Sequence, residues 1–326
     1  MTGEDRDTAI RAALRHHRVK AGGFVAGKYV DTEISPRILS AWSDDGHIIG
    51  NHSFSHQYFN GKGPDELMAD IMKCEPLLSR YPGFHKLFRF PYLAEGQTAD
   101  GRDKMRVLLK QHGYANAHVT IDTSDWYIDN RLKARLKADP KAQIAPYRRF
   151  YLDHIWDRAT FYDGLAQSLF GHSIDHTILL HHRLTTGLFL DDMLSMFRER
   201  GWRLINAKAA FASPVFAIEP DVLPAGQSLV WSLAKAGHFK SCYAIRARTA
   251  TTKRQRWTLR DCSKALARQV HACETRSLRE GGSAPRRRLS LSAFPEADGR
   301  HSTNLGRSRP LRHGHFSTVS LRRLAS

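Results

Sequence analysis

The sequence predicts an α/β fold built on parallel strands, and three observations carry that reading. Short apolar runs alternate with longer amphipathic stretches through roughly the first 225 residues. Strand followed by helix, repeated, implies parallel strands joined by helical crossovers. The residue patterns with chemical potential all sit at the ends of the apolar runs, where such folds keep their sites. Periodicity alone fits an open doubly wound sheet and a barrel equally.

The elements follow in order. Asp7 to His17 reads as a helix with Ile10, Ala13 and Leu14 on one face. Gly22 to Val30 reads as a buried strand and its exit. Ser35 and Pro36 open the next helix as cap and first helical residue. His47 to Gly50 is a short strand, and Asn51 to Gly63 a polar loop. Pro64 to Ser79 is a helix whose apolar face includes Leu67, Ile71 and Leu78. Leu87 to Phe90 reads as a strand, Thr98 to His112 as a helix and Ala115 to Val119 as a strand. Residues 127–150 are charged and punctuated by proline, and are read as an inserted loop with a helical piece. Tyr151 to Phe170 is helical, Thr177 to Leu180 a buried strand, Asp191 to Arg200 a helix and Trp202 to Ile205 a last strand.

Of 326 residues, 41% are hydrophobic and 10% aromatic, enough for a sizeable core and incompatible with a wholly disordered or coiled-coil chain. No apolar run reaches the ~18 residues that a membrane-spanning helix needs. The opening MTGEDRDTAI is polar and acidic, so Met1 opens no signal peptide. Four cysteines are too few and scattered for a disulfide framework. From Lys240 to Ser326 there are 3 Lys and 17 Arg against 5 acidic residues, so this stretch carries +15 of the net +18 and the first 239 residues only +3. Residues 1–235 are therefore read as the folded domain. Residues 241–326, rich in Arg and Ser, are read as a disordered tail, since they cannot bury enough surface to offset ordering entropy. The abrupt change near Ser241 raises a sharper expectation, out-of-frame translation. A basic arm for nucleic acid is the less favoured alternative, because the tail holds no recognisable binding module.

Four patterns carry chemistry. Asn51-His52-Ser53-Phe54-Ser55-His56 follows a strand, and two histidines four apart can reach one borderline divalent ion such as zinc if the loop curls into a helical turn. Two solvated histidines are the plainer reading. Arg89-Phe90-Pro91-Tyr92 places a guanidinium ahead of a proline-fixed turn, where it could hold a carboxylate or simply sit on the surface. Asp122-Thr123-Ser124-Asp125-Trp126 sets carboxylates beside an indole, as in sites that pack sugars, or as in an ordinary Asp/Ser turn. Leu179-Leu180-His181-His182 ends a strand in imidazoles able to move protons near neutral pH, or merely capping the strand.

In order and content these patterns resemble the polysaccharide deacetylase family, the NodB homology domain of carbohydrate esterase family four, over about residues 5–235. His52 to His56 matches its H(S/T)xxH motif, Arg89 to Tyr92 its Arg-x-Pro turn, Asp122 to Trp126 its Asp-Trp loop and Leu179 to His181 its Leu-x-His strand end. The stretch from Val19 to Val25 also looks like the family. The resemblance implies a distorted (β/α) barrel that hydrolyses N-acetyl or O-acetyl groups on an acetylated polysaccharide or amino sugar with a divalent metal, often zinc. It implies His52 and His56 as metal ligands, His181 as general acid and Asp125 as the residue that orients it. Trp126 and Leu179 would wall the acetyl pocket, Arg89 would position the catalytic base, and the Tyr92 N–H would donate to the oxyanion.

The family's first motif, an Asp-Asp pair ending a first strand, has no match. One of those carboxylates is the base and the other the third metal ligand. Glu4 and Asp5 stand nearby, but acidic residues at a helix start serve capping and the macrodipole. The expectations are a missing first strand with an open seam in the barrel, a true start lying upstream, and impaired activity. Relatives are often exported, so the missing leader leaves the location open. A carbohydrate-binding pseudoenzyme is the alternative of a different class.

Overall fold

The computed structural model describes residues 1–30, 33–237 and 315–323, all within one folding unit. Helix α1, Gly3–His16, starts earlier than its apolar face announces. Thr2 caps it by accepting from the Asp5 N–H, and the Asp5 carboxylate accepts from the Thr2 N–H. Glu4 pairs with Arg37 at the surface. The two early acids thus have the structural role expected of them.

Strand β1, Gly22–Val25, is wholly buried and leads into a 3-10 turn over Gly27–Tyr29. Helix α2, Ile34–Asp44, starts one residue before the predicted cap and takes Pro36 into its first turn. Strand β2, Ile48–Asn51, precedes the polar loop, and α3, Pro64–Leu78, begins on its proline. Leu67, Ile71 and Leu78 are buried, as their spacing predicts. Strand β3, Phe84–Phe88, and the short β4, Ala94–Gly96, come next. Thr98 caps α4, Ala99–Gln111. The predicted strand at 115–119 shrinks to β5, Ala115–Asn116, followed by β6, Ile121–Asp122.

The predicted loop over 127–150 is mostly helix. Helix α5, Asp125–Ala138, buries Ile128 and Leu132, an i, i+4 pair that the surrounding charge obscures in the sequence. Pro146 stands in the first turn of α6, Ala145–Phe170, where a missing N–H costs nothing. Strand β7, His176–His181, leads into α7, Leu184–Glu199, which begins well ahead of the predicted Asp191. Strand β8, Trp202–Ile205, the short helix α8, Ala207–Phe211, strand β9, Ala225–Gly226, and helix α9, Leu229–Lys235, finish this stretch.

The main sheet has eight strands and curls as a half-barrel, in the order β5-β3-β2-β1-β10-β7-β6, with β8 also paired to β10. Strand β10, His315–Arg323, comes from the segment read as tail. The β1–β2, β2–β3, β3–β5 and β6–β7 pairs are parallel; β10 runs antiparallel to β1, β7 and β8. Strands β1 and β7 therefore point the same way, and all four motif loops leave the same end of the sheet.

An open seam was expected in the barrel; between β1 and β7 the slot is filled by β10. Backbone groups left unpaired inside a sheet cost about as much as lost hydrogen bonds, so an extended segment with apolar residues is drawn into such a slot. Val319 and Leu321 are fully buried there, and Arg323 reaches the buried Asp163 at 3.2 Å. The remainder of the expected tail, 241–314 and 324–326, lies outside the described residues.

One buried histidine reports on the fold. His47, just before β2, is 1% exposed and accepts the Ala21 N–H at Nδ1, 3.1 Å away. Its Nε2 is buried without a hydrogen-bond partner among the described residues. Burial pushes this imidazole down to about 4 from 6.5. The unfolded chain therefore takes up a proton between pH 6.5 and 4 that the folded chain refuses, so stability falls as pH drops through that window. His47→Asn keeps an acceptor for Ala21 and removes the titration. Urea midpoints between pH 6.5 and 4.5 should then decline less steeply than in the parent; an unchanged slope would count against this assignment.

Candidate active site

The loop after β2 is shaped by its hydrogen bonds. Asn51 is buried and donates through Nδ2 to the Ile71 carbonyl and the Tyr114 hydroxyl, while its Oδ1 accepts from the Ser53 N–H. Ser55 donates twice to the Asp70 carboxylate on α3. The His52 N–H reaches the Val25 carbonyl at 3.0 Å. The two histidines do not meet across a helical turn, as the sequence reading supposed. Ser53 and His56 both have positive φ, and these two kinks fold the loop back until the imidazoles lie 4.8 Å apart, centroid to centroid.

His52 is buried and donates through Nδ1 to the Arg89 carbonyl at 2.6 Å. That bond selects the tautomer whose lone pair is on Nε2. Burial holds His52 well below the usual histidine range. His56 is pushed down to about 4 by burial and the Lys28 charge. Both rings are neutral at pH 7, the state in which imidazole binds metal. Their donor chemistry suits a borderline cation, but the number of ligands falls short. Among the described residues, the three ligating side chains close enough to hold an ion are His16, His17 and Asp191, at the end of α1.

Arg89 follows β3 and is 1% exposed. It is not the surface residue that one reading allowed. Gly50 makes room for the Phe24 ring, since a Cβ there would lie 2.5 Å from it, and the Arg89 guanidinium stacks on that ring at 4.1 Å. Arg89 donates to the Ala117 carbonyl and to Thr318 Oγ1, both at 2.7 Å. Its Nη2 is buried with no hydrogen-bond partner among the described residues. Burial pulls the group down to about 9, so it still carries its charge at pH 7. The expected carboxylate partner is replaced by a neutral hydroxyl from β10. Thr318 had no sequence signal, because only the long-range strand pairing brings it here.

Tyr92 lies in a turn after Pro91 with φ 57° and ψ 14°, a left-handed conformation that costs a bulky residue on the order of 1–3 kcal/mol. Its ring stands 5.0 Å from His56 and is 65% exposed.

Asp125 opens α5 and is fully buried. One of its oxygens accepts from His181 Nδ1 at 2.6 Å and the other from the His181 backbone N–H at 2.8 Å. The carboxylate therefore fixes both ring and backbone of His181 and leaves Nε2 as the ring's outward nitrogen. Thr123 ties the same loop to β7 by donating to the Leu179 carbonyl, and His154 meets the Thr123 carbonyl at 2.7 Å. Leu179 is buried, while Trp126 is 43% exposed. Asp122 is a further carboxyl whose proton affinity burial raises, and it feels the charges of His181 and Asp125. The charge of His181 is in turn felt by His52 and His56, which places the three imidazoles in one electrostatic neighbourhood.

The fold and this convergence bring three imidazoles, a guanidinium and a buried carboxylate together at the strand ends of a half-barrel. The family model of polysaccharide deacetylases matches residues 2–117, spanning α1 to β5 and so both the paired-histidine loop and Arg89. Over those residues the chain resembles the polysaccharide deacetylase family. A peptidoglycan-N-acetylglucosamine deacetylase of Bacillus cereus is 32% identical over 205 residues, 61% of this chain and 60% of the relative. A peptidoglycan-N-acetylmuramic acid deacetylase of Bacillus subtilis is 27% identical over 145 residues, 44% of this chain and 53% of the relative. Among solved structures, a pseudoenzyme of carbohydrate esterase family four from Bacillus anthracis is similar with a TM-score of 0.45 and 19% identity, over 64% of this chain and 61% of that one. The chain thus spans about 60% or less of the length of these two curated relatives.

A buried cation facing a hydroxyl invites a direct test. Thr318→Asp places a carboxylate opposite Arg89 in nearly the same volume, and a charge-assisted hydrogen bond to an otherwise unpaired buried charge should stabilise by about 1–3 kcal/mol. The gain should appear in urea denaturation at pH 7 and vanish in acid as the new carboxylate protonates. A destabilised variant at pH 7 would show that Arg89 tolerates its isolation.

Proposed function

We propose that this chain is a polysaccharide deacetylase whose substrate is an N-acetylated, or less often O-acetylated, amino-sugar polymer, and whose turnover is slow because, among the described residues, no carboxylate base stands beside Arg89. The observation that carries this reading is the Asp125–His181 pair, with one carboxylate holding both the ring and the backbone of a histidine at a strand end. The names of the curated relatives, deacetylases of peptidoglycan sugars, support the substrate class.

His52 and His56 are the residues that would hold a divalent ion, zinc by donor preference. When bound, such an ion polarises an acyl carbonyl and acidifies water. The remaining chemistry belongs to the chain. The His52 bond to the Arg89 carbonyl keeps that ring in the ligating tautomer. Tyr92 presents its backbone N–H in the turn where negative charge on the acetyl oxygen would develop. His181, oriented by Asp125, delivers a proton from Nε2 to the leaving nitrogen, because an amide anion is too poor a leaving group. Trp126 and Leu179 line the acetyl group's surroundings. Arg89 is placed to orient a base but holds Thr318 instead. The water's proton therefore has no dedicated acceptor among the described residues, which is the physical reason for slow turnover.

A second reading follows from the surroundings of Arg89. A buried Arg89 that meets no carboxylate among the described residues also fits a carbohydrate-binding protein that has lost its chemistry.

Acetate release from N-acetylglucosamine oligomers, measured on the full chain with added zinc or cobalt, separates the two. The expected result is slow release that a chelator or His56→Ala abolishes, and that His181→Ala lowers about a hundredfold or more. Oligomer binding without metal-dependent acetate release would favour the binding protein. Fast turnover would refute the proposed impairment.

A further inference from the structure

Two histidines that no motif uses stand side by side where α1 ends. His16 is the last residue of the helix and His17 its C-terminal cap. The His17 N–H reaches the Ala13 carbonyl at 3.0 Å, Arg18 turns left-handed with φ 51°, and the Val19 N–H closes on the Leu14 carbonyl at 3.0 Å. Side chains on successive helical residues point about 100° apart. Here the two ring centroids nevertheless lie 4.7 Å from each other, because both rings turn to one carboxylate. Asp191 Oδ1 is 2.6 Å from His16 Nδ1 and 3.2 Å from His17 Nε2. Asp191 belongs to α7, 175 residues from His16, and Ser195, one turn further along that helix, faces His17 Nε2 at 3.5 Å. His17 is 4% exposed, and Nε2 is the nitrogen it turns to the carboxylate; its Nδ1 is buried with no hydrogen-bond partner among the described residues. Arg198, also on α7, donates to the His17 carbonyl and holds the cap against that helix. His16 and Asp191 are open to solvent.

These groups meet the demands of a borderline divalent ion. Two imidazole nitrogens and a carboxylate oxygen lie within 4.8 Å of one another. Bonds of about 2.0–2.1 Å to a tetrahedral ion set its ligand atoms about 3.4 Å apart, a spacing that small rotations of the exposed His16 and Asp191 side chains would reach. Two nitrogens and one oxygen suit zinc better than magnesium or calcium, which take oxygen ligands. The last carbonyls of α1 place the negative end of its dipole at the same point. The cluster is separate from the motif loops. Residues 18–21 lead from His17 into the start of β1, whereas His52 bonds to Val25 at the end of that strand.

We propose that His16, His17 and Asp191 form a divalent-cation site of the zinc class, apart from the paired-histidine loop, that clamps α1 to α7. The two helices already approach closely near the start of α1, where a Cβ on Gly187 of α7 would lie 3.4 Å from the Arg6 Cα. The ion would fasten the other end of α1 to the same partner. The site does not depend on the deacetylase reading, since a clamp away from the motif loops stabilises the chain whether or not it turns over sugar.

The test is zinc binding by the full chain carrying His56→Ala, which disables the loop site and leaves this one. Competition with a chromophoric zinc chelator should show zinc retained, and Asp191→Asn or His16→Asn added to that chain should each weaken its binding at least roughly tenfold. Both side chains are exposed, so both variants should fold as their parent does in the presence of a chelator. At zinc about a hundredfold above its Kd, the melting midpoint of the His56→Ala chain should rise by roughly 5 °C, and Asp191→Asn should abolish the rise. No zinc binding by the His56→Ala chain, or binding that survives both substitutions, would overturn the site. Binding without a rise in melting midpoint would overturn the clamp. Acetate release is not among these readouts, so its absence would strike the deacetylase reading alone.

Discussion

His52 donates through its ring to the Arg89 carbonyl, while the Arg89 N–H donates to the Asn51 carbonyl. These two bonds join the ends of β2 and β3 and make one unit of two loops nearly forty residues apart. Everything at the mouth of the sheet hangs on that join. It sets the His52 tautomer, lodges the Arg89 side chain under the sheet against Phe24, and aims the Pro91–Leu93 turn at His56. Each such bond is buried, so losing one partner would leave a polar group unsatisfied at about 1–3 kcal/mol. The site is therefore as rigid as the sheet that carries it.

Much of the backbone strain among the described residues lies at the same place. Of seven non-glycine residues with positive φ, five, Ser53, His56, Tyr92, Leu93 and Ser124, lie in or beside the motif loops. None is glycine, so each conformation is imposed from outside. The restraints can be named: Asn51 and Asp70 for the first loop, the Phe59–Phe90 stack for the second, and Thr123, His154 and Asp125 for the third. Local stability is lower here in exchange for fixed directions of the functional side chains, as expected where preorganisation matters.

Charge tells a similar story with the opposite sign of completeness. Asp125 gives both its oxygens to His181, whereas among the described residues Arg89 keeps a buried charge on two neutral oxygens and an aromatic face. A fold does not normally bury a guanidinium on such terms unless something else selects it. Strand β10 relieves the backbone of β1 and β7 but brings only a hydroxyl to Arg89. The same strand therefore completes the sheet and leaves the electrostatics of the site unfinished.

The sequence by itself determined the alternation of strand and helix, the buried faces of α1 and α3, and the placing of four reactive patterns at strand ends. It did so because periodicity, caps and turn residues act over a few positions. It misread 127–150, where charged neighbours masked the Ile128–Leu132 face, and it expected a helical turn where two left-handed residues close the histidine pair. Only the tertiary structure decided what lies beside Arg89 and what fills the seam between β1 and β7. Thr318 is 229 residues from Arg89, and its strand carries no local pattern that names a partner. Strand pairing is chosen by which backbone groups would otherwise be buried unpaired. That is a property of the whole assembled sheet, and no window of sequence contains it.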